Sequence, residues 1–180
     1  MRYPTRRVER IVHPAVEPVS TSQAKSFLRI DSSTEDSLID DMIKTARIVA
    51  EQETGQSFVT QNWRISYNDS TPDCVPLPHG PVQSITSVKS IAEDGGVTTI
   101  AATAYHIDAG GATLVMESAP NGFRIEIDYV AGYGSSAASV PIDIVQAILL
   151  HVAHLYEHRD SIMPPTFSML VYARQREVRL

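Results

Sequence analysis

The sequence predicts an α+β fold. It is a small helical bundle of three main helices plus a short C-terminal helix, with an inserted antiparallel β-layer or small sandwich. Three observations predict it. Apolar residues recur at helical spacing from residue 20 to residue 54, alternate with polar ones between about 60 and 133, and return to helical spacing after Pro141. The organisation read from this is an extended N-terminal arm over 1–19, a helical core over 20–58 plus 140–163, a β-rich insertion over 59–139, and a C-terminal docking segment over 164–180.

Residues 1–19 show no period; Arg2, Arg6, Arg7 and Arg10 make a basic arm that ends in Pro14 and Pro18. Ser20 and Gln23 have the spacing of a capping box, in which each side chain satisfies the other residue's backbone N–H. They predict a first helix over 21–28 with Ala24, Phe27 and Leu28 on its apolar face. Ser32 with Glu35, or Ser33 with Asp36, repeats the box before a long helix over 34–54. Leu38, Ile39, Met42, Ile43, Ala46, Val49 and Ala50 form its apolar stripe, and Gly55 is placed to end it in the left-handed conformation. The stretch 31–53 carries seven acidic residues against Lys44 and Arg47, so its outer face is expected to be negative.

The strand region opens with Trp63, Ile65 and Tyr67 alternating with polar residues. A loop over 68–73 follows. Pro76, Pro78 and Pro81 then make the next stretch rigid and argue against a central strand. Strands are expected over 85–91 and 97–100 around the turn Asp94-Gly95-Gly96, at Tyr105–Ile107, over 113–117 after Gly110-Gly111, and over 123–129 after Pro120-Asn121-Gly122. In the last, Phe123, Ile125, Ile127 and Tyr129 alternate with Arg124, Glu126 and Asp128. Pro141 then opens a helix reaching Glu157 or Arg159, with Ile144, Ala147, Ile148, His151, Val152 and Leu155 inward. Pro164 and Pro165 separate it from a short helix over 167–173, and Arg174, Arg176 and Arg179 make the end basic.

Composition limits the function classes. The 180 residues carry a net charge of -6, which suits a broad grip on phosphate backbones poorly. The single cysteine, Cys74, allows neither an internal disulfide nor a thiolate cluster. No apolar run is long enough for a membrane helix, and no apolar stretch behind the basic N-terminus suggests a signal peptide. His151, His154 and His158 share a helix at spacings of three and four, the one arrangement here that suggests a metal-dependent hydrolase, yet no glutamate follows His151 or His154 as a zinc-protease motif requires. The expectation is core or interface histidines, with no metal and no cofactor. The carboxylate pairs Asp36/Asp40, with Asp41, and Glu126/Asp128 read as solvated acidic faces rather than a sugar-cleaving pair. No nucleophile elbow and no phosphate-binding glycine loop is present. A small metal-dependent hydrolase using His151, His154 and His158 and a generic protein-binding module stand as alternative readings.

Three segments carry a resemblance. They are Val19–Asp31 with the acidic helix after it, Thr54–Trp63 (TGQSFVTQNW), and Val130–Gly134 followed by Val140-Pro141 and Ile144–Arg159. Together they resemble the gp6-like head–tail connector proteins of tailed bacteriophages, in the longer subgroup with a β-rich insertion, also found in prophages and gene transfer agents. The resemblance covers residues 19–160. It implies no catalytic residue. It implies a ring, often of about twelve copies, beneath the portal in the neck of a virion or gene transfer particle assembled in the bacterial cytoplasm. The ring links the portal to a stopper or tail-side protein and surrounds the channel through which DNA passes without sequence-specific binding. No membrane is involved. It also implies portal docking by the C-terminal segment, here Phe167, Leu170, Tyr172, Arg174 and Arg176. Glu35, Asp36, Asp40 and Asp41 are expected to line the channel or a subunit boundary, and Pro164-Pro165 to present the last helix away from the body.

Overall fold

The structure is a computed structural model that describes residues 6–68, 72–118, 120, 122–158 and 161–176. Expectations about Arg2, Asn121, Arg159, Arg179 and the middle of the 68–73 loop lie outside the described residues. The elements in chain order are β1 (Arg6–Val12), α1 (Thr21–Leu28), α2 (Asp36–Thr54), β2 (Gln61–Asn68), β3 (Cys74–Pro76), β4 (Val82–Ile91), β5 (Val97–Thr99), β6 (Tyr105–Ile107), β7 (Thr113–Met116), β8 (Arg124–Ala131), α3 (Ile142–Glu157) and α4 (Thr166–Gln175). They fall into two compact units, one holding Met1–His13 with Gln61–Gly132, the other Pro14–Thr60 with Tyr133–Leu180.

The first unit is built on β-strands, with one short 3-10 turn at Ala102–Ala104. A five-stranded antiparallel sheet has the order β1-β2-β8-β4-β5, and a three-stranded one the order β3-β7-β6. Ile65, Val88, Ile125, Ile127 and Tyr129 of the larger sheet share a buried cluster with Val75, Leu114 and Met116 of the smaller one, so the unit is a small sandwich. Alternation decides which side chains reach that cluster. On β2 every second residue from Gln61 to Tyr67 is buried. The proline-rich stretch is tied down by the Tyr129 hydroxyl, which donates to the Pro78 carbonyl. Cys74–Pro76 forms an edge strand of the smaller sheet, where the missing N–H of Pro76 costs nothing.

Three expectations change here. Residues 6–12, read as part of an arm, are the edge strand of the larger sheet, paired with β2 from Arg6↔Tyr67 onward. The alternation was hidden because charged side chains, typical of protected edges, occupy both faces of this strand. Phe123 precedes β8 and is 51% exposed. Glu126 and Asp128 are not a solvated pair. Arg64 Nε donates to Asp128 Oδ1 at 2.6 Å, and its Nη1 lies 3.4 Å from Glu126. Burial alone would raise the pKa of Asp128, but the bonds and charge of Arg64 outweigh it and hold the carboxyl below the usual range.

The second unit is the helical bundle. The capping box at the start of α1 forms in both directions, and α1 ends at Arg29 in the left-handed conformation. The start of α2 differs. Neither expected box forms, and Glu35 occupies the cap position without a side-chain bond to the helix. The carboxylates serve tertiary partners instead: Tyr156 donates to Glu35 at 2.7 Å and Lys25 to Asp36 at 2.7 Å. Gly55 closes α2 at φ 71°. Ile39, Ile43, Ala46 and Ala50 of α2 meet Ile144, Ala147, Ile148 and Val152 of α3 in one buried cluster, as the helical spacing predicts. Phe27 and Leu38, read as core residues, are 42% and 39% exposed, at the margins of stripes wider than the available core.

Two charged groups in this unit, Arg47 and Glu51, are buried outright. Arg47 Nε donates to Glu17 at 2.6 Å and its Nη1 to Glu51 at 2.9 Å; the Arg47 and Glu51 side chains are 5% and 3% exposed. The second oxygen of Glu51 accepts the Phe58 N–H at 3.2 Å. This network fastens the 14–19 segment and the turn after α2 to the bundle.

Candidate docking surface

Helix α4 turns back onto the bundle rather than standing away from it. It runs antiparallel to α3. His151 Nε2 lies 3.1 Å from the Ile162 carbonyl, Ser168 Oγ donates to the Ala147 carbonyl at 2.8 Å, and Gln175 donates to Asp143 at 2.8 Å. Ser168, Val171 and Tyr172 face inward and are buried, and Arg176 reaches the carboxylate and carbonyl of Glu53 at 3.0 Å each. The two prolines therefore set a turn, and burial of Val171 and Tyr172 closes it.

The opposite side of α4 is apolar and open. Phe167 and Leu170 are each 56% exposed, and Ile162 and Met163 before the helix more so. Ile162 also lines a groove of about 300 Å³ between α2 and α3, with Leu38, Asp41, Met42, Leu155 and His158. Apolar residues this exposed and this concentrated mark a contact surface rather than scattered surface hydrophobics. Of the five expected docking residues, Phe167, Leu170 and Arg174 lie on this outer side, Arg176 is ion-paired, and Tyr172 is a buried anchor. Sequence reasoning missed Ile162 and Met163. Their signal was two large apolar residues immediately before a proline pair.

The four acidic candidates on and beside α2 are not equivalent. Glu35 and Asp36 hold α3 and α1, and Asp40 accepts the Thr21 hydroxyl. Asp41 remains outward, its side chain 76% exposed with Lys44 at 3.4 Å.

The histidines do not converge on one point. His151 is fully buried, while His154 and His158 stack on each other with ring centroids 4.3 Å apart. Among the described residues no group of three or more His, Cys, Asp or Glu side chains is placed to hold a metal ion. The three histidines thus do not form the cluster that a metal-dependent hydrolase would need, which disfavours that alternative. Burial lowers the pKa of His151, against the opposing effect of its bond to Ile162. The unfolded chain therefore binds more protons than the fold as pH falls through the ordinary histidine range, so stability present above about pH 6.5 is lost below it. Urea midpoints are expected to fall between pH 7 and pH 5.5 for the native chain and to fall less for His151→Gln. Equal slopes would exclude this histidine as the cause.

Comparison with known proteins bears on the whole chain. Residues 18–164 match the family described as head completion protein. No curated protein matches the chain. The fold is similar to a chain in the neck of an empty GTA particle computed with C6 symmetry, with TM-score 0.83, 23% identity and 97% of each chain covered. It is also similar to a chain in the virion of a native gene transfer agent particle, with TM-score 0.79, 24% identity and 96% of each covered. A chain in the neck of the native GTA particle computed with C12 symmetry gives TM-score 0.69 and 24% identity, over 94% of this chain and 97% of that one.

Proposed function

The chain belongs to the head completion protein family, and from that membership we propose that it is a structural, non-enzymatic component of a particle neck, in the manner of the gp6-like connectors. Copies form a ring beneath the portal, about twelve in number, join a stopper or tail protein on the other side, and surround the channel through which DNA leaves. The carrying observation is that a chain from a gene transfer agent neck matches over 97% of this chain, with both the bundle and the β-rich insertion included in the alignment. The particle is assembled in the bacterial cytoplasm.

The open side of α4 supplies the portal contact. Phe167 and Leu170 are the apolar anchors, Arg174 the charge beside them, and Tyr172 the inward residue that keeps the helix in place. On the outer face of α2, Asp41 is the acid best placed to face the channel or a neighbour, where a negative surface keeps DNA from adhering. Particles produced without this chain are expected to yield filled heads and separate tails, and the purified chain to restore joining. Heads that join tails in its absence would overturn the reading.

A further inference from the structure

We propose that neighbouring copies join edge to edge through the larger sheet, β1 of one copy pairing in parallel with β5 of the next. The inference rests on the ring reading above and names the surfaces that would build the ring. Among the described residues no strand lies beyond β1 or β5, so these two are the edges of the larger sheet. Val97 on the β5 edge is 59% exposed. Thr98 and Thr99 stand level with Arg6 and Arg7, so the exposed Ile11 and Val12 lie at the other end of β1 and take no part in this pairing.

Three features select this pairing. The first is direction. Four successive antiparallel pairings, β1 with β2, β2 with β8, β8 with β4 and β4 with β5, leave β1 and β5 running the same way. Extending the sheet head to tail therefore brings them together in parallel. The second is level. Arg7 lies opposite Ser66, Ser66 opposite Glu126, Glu126 opposite Lys89, and Lys89 opposite Thr99. Arg7 and Thr99 thus stand at the same height on the two edges, and no slide along the strands is needed to match them.

The third is charge. β1 carries Arg6, Arg7 and Arg10 against Glu9 alone, whereas the turn leading into β5 carries Glu93 and Asp94, both exposed. The arginines at the start of β1 lie at the end of the sheet where that acidic turn projects. Arg6 donates to the Pro76 carbonyl and Arg7 pairs with Glu9, but a guanidinium has five donors and neither contact uses them all. A two-fold β1–β1 contact would instead bring two arginine-rich strands together, which like charges oppose. Both complementary edges belong to this chain, so the occupant is a second copy.

Cross-linking tests the pairing. In a Cys74→Ser background, which removes the exposed native thiol, the full-length chain carries Arg7→Cys and Thr99→Cys and is oxidised in assembled particles. Neighbouring strands lie about 4.8 Å apart, within disulfide reach. The double variant is expected to give a ladder of covalent multimers, and each single variant monomer only. Dimers from Arg7→Cys alone would overturn the proposal in favour of β1–β1 contact. Rings that form normally without cross-links would overturn the edge pairing and leave the ring intact. A chain that stays a single copy in the neck would overturn both. As a second measurement, Arg7→Glu is expected to weaken assembly about tenfold and added Glu93→Arg to recover most of it. A double variant no better than Arg7→Glu would count against the pairing.

Discussion

Replacing Arg47 by alanine is expected to destabilise the helical unit by about 3–5 kcal/mol. Its guanidinium bridges Glu17 and Glu51, and the Glu51 side chain is 3% exposed. The substitution leaves a carboxylate in the bundle without its counter-charge, and the solvation lost on burial is then uncompensated. Urea unfolding followed by circular dichroism at 222 nm is the measurement, since Trp63, the one tryptophan, lies in the β unit and reports on that unit. The midpoint should fall, and melting should drop by roughly 10 °C. Glu51→Gln should cost less, because an amide oxygen still accepts the Phe58 N–H. An Arg47→Ala chain within about 1 kcal/mol of native would mean the network is solvated and contributes little.

The second large effect concerns binding. Phe167→Ser with Leu170→Ser is expected to leave the bundle folded and to reduce capture by assembled portal about a thousandfold. Both side chains are more than half exposed, so the folding cost is limited to helix propensity, below about 1 kcal/mol for each. At an interface, apolar anchors of this kind are worth about 2 kcal/mol or more each. Tyr172→Ser is the contrasting variant. It empties a fully buried site beneath α4 and should lower stability by about 3–5 kcal/mol, with binding lost through disorder of the helix rather than loss of contact. Portal capture by the double serine variant within about threefold of native would remove α4 from the docking surface.

The order of elements was legible because each local signal is complete within a few residues. Ser20 with Gln23, Gly55, the alternation on β2 and β8 and the stripe of α3 each need only their own neighbours in sequence, and each appears where expected. The candidate surface was legible in part. Phe167 and Leu170 are exposed whereas Tyr172, apolar like them for most of its surface, is fully buried, because the two residues from Leu170 to Tyr172 carry the side chain about 200° around the helix axis. The acids before α2 read as caps from spacing alone. Once Tyr156 and Lys25 arrive from distant parts of the chain, Glu35 and Asp36 bond to them instead.

By itself, then, the sequence determined the α+β class, the two helical segments around an inserted β region, and the general family. Periodicity, caps and turns are short-range properties, and a chain carries them in any context. Only the tertiary structure decided that residues 6–12 complete a sheet whose next strand begins at residue 61, that Arg47 is buried between two carboxylates, and that the last helix folds back with its apolar side outward. Those outcomes depend on which distant surfaces exclude water together, and that competition is settled by the assembled chain rather than by any stretch of it.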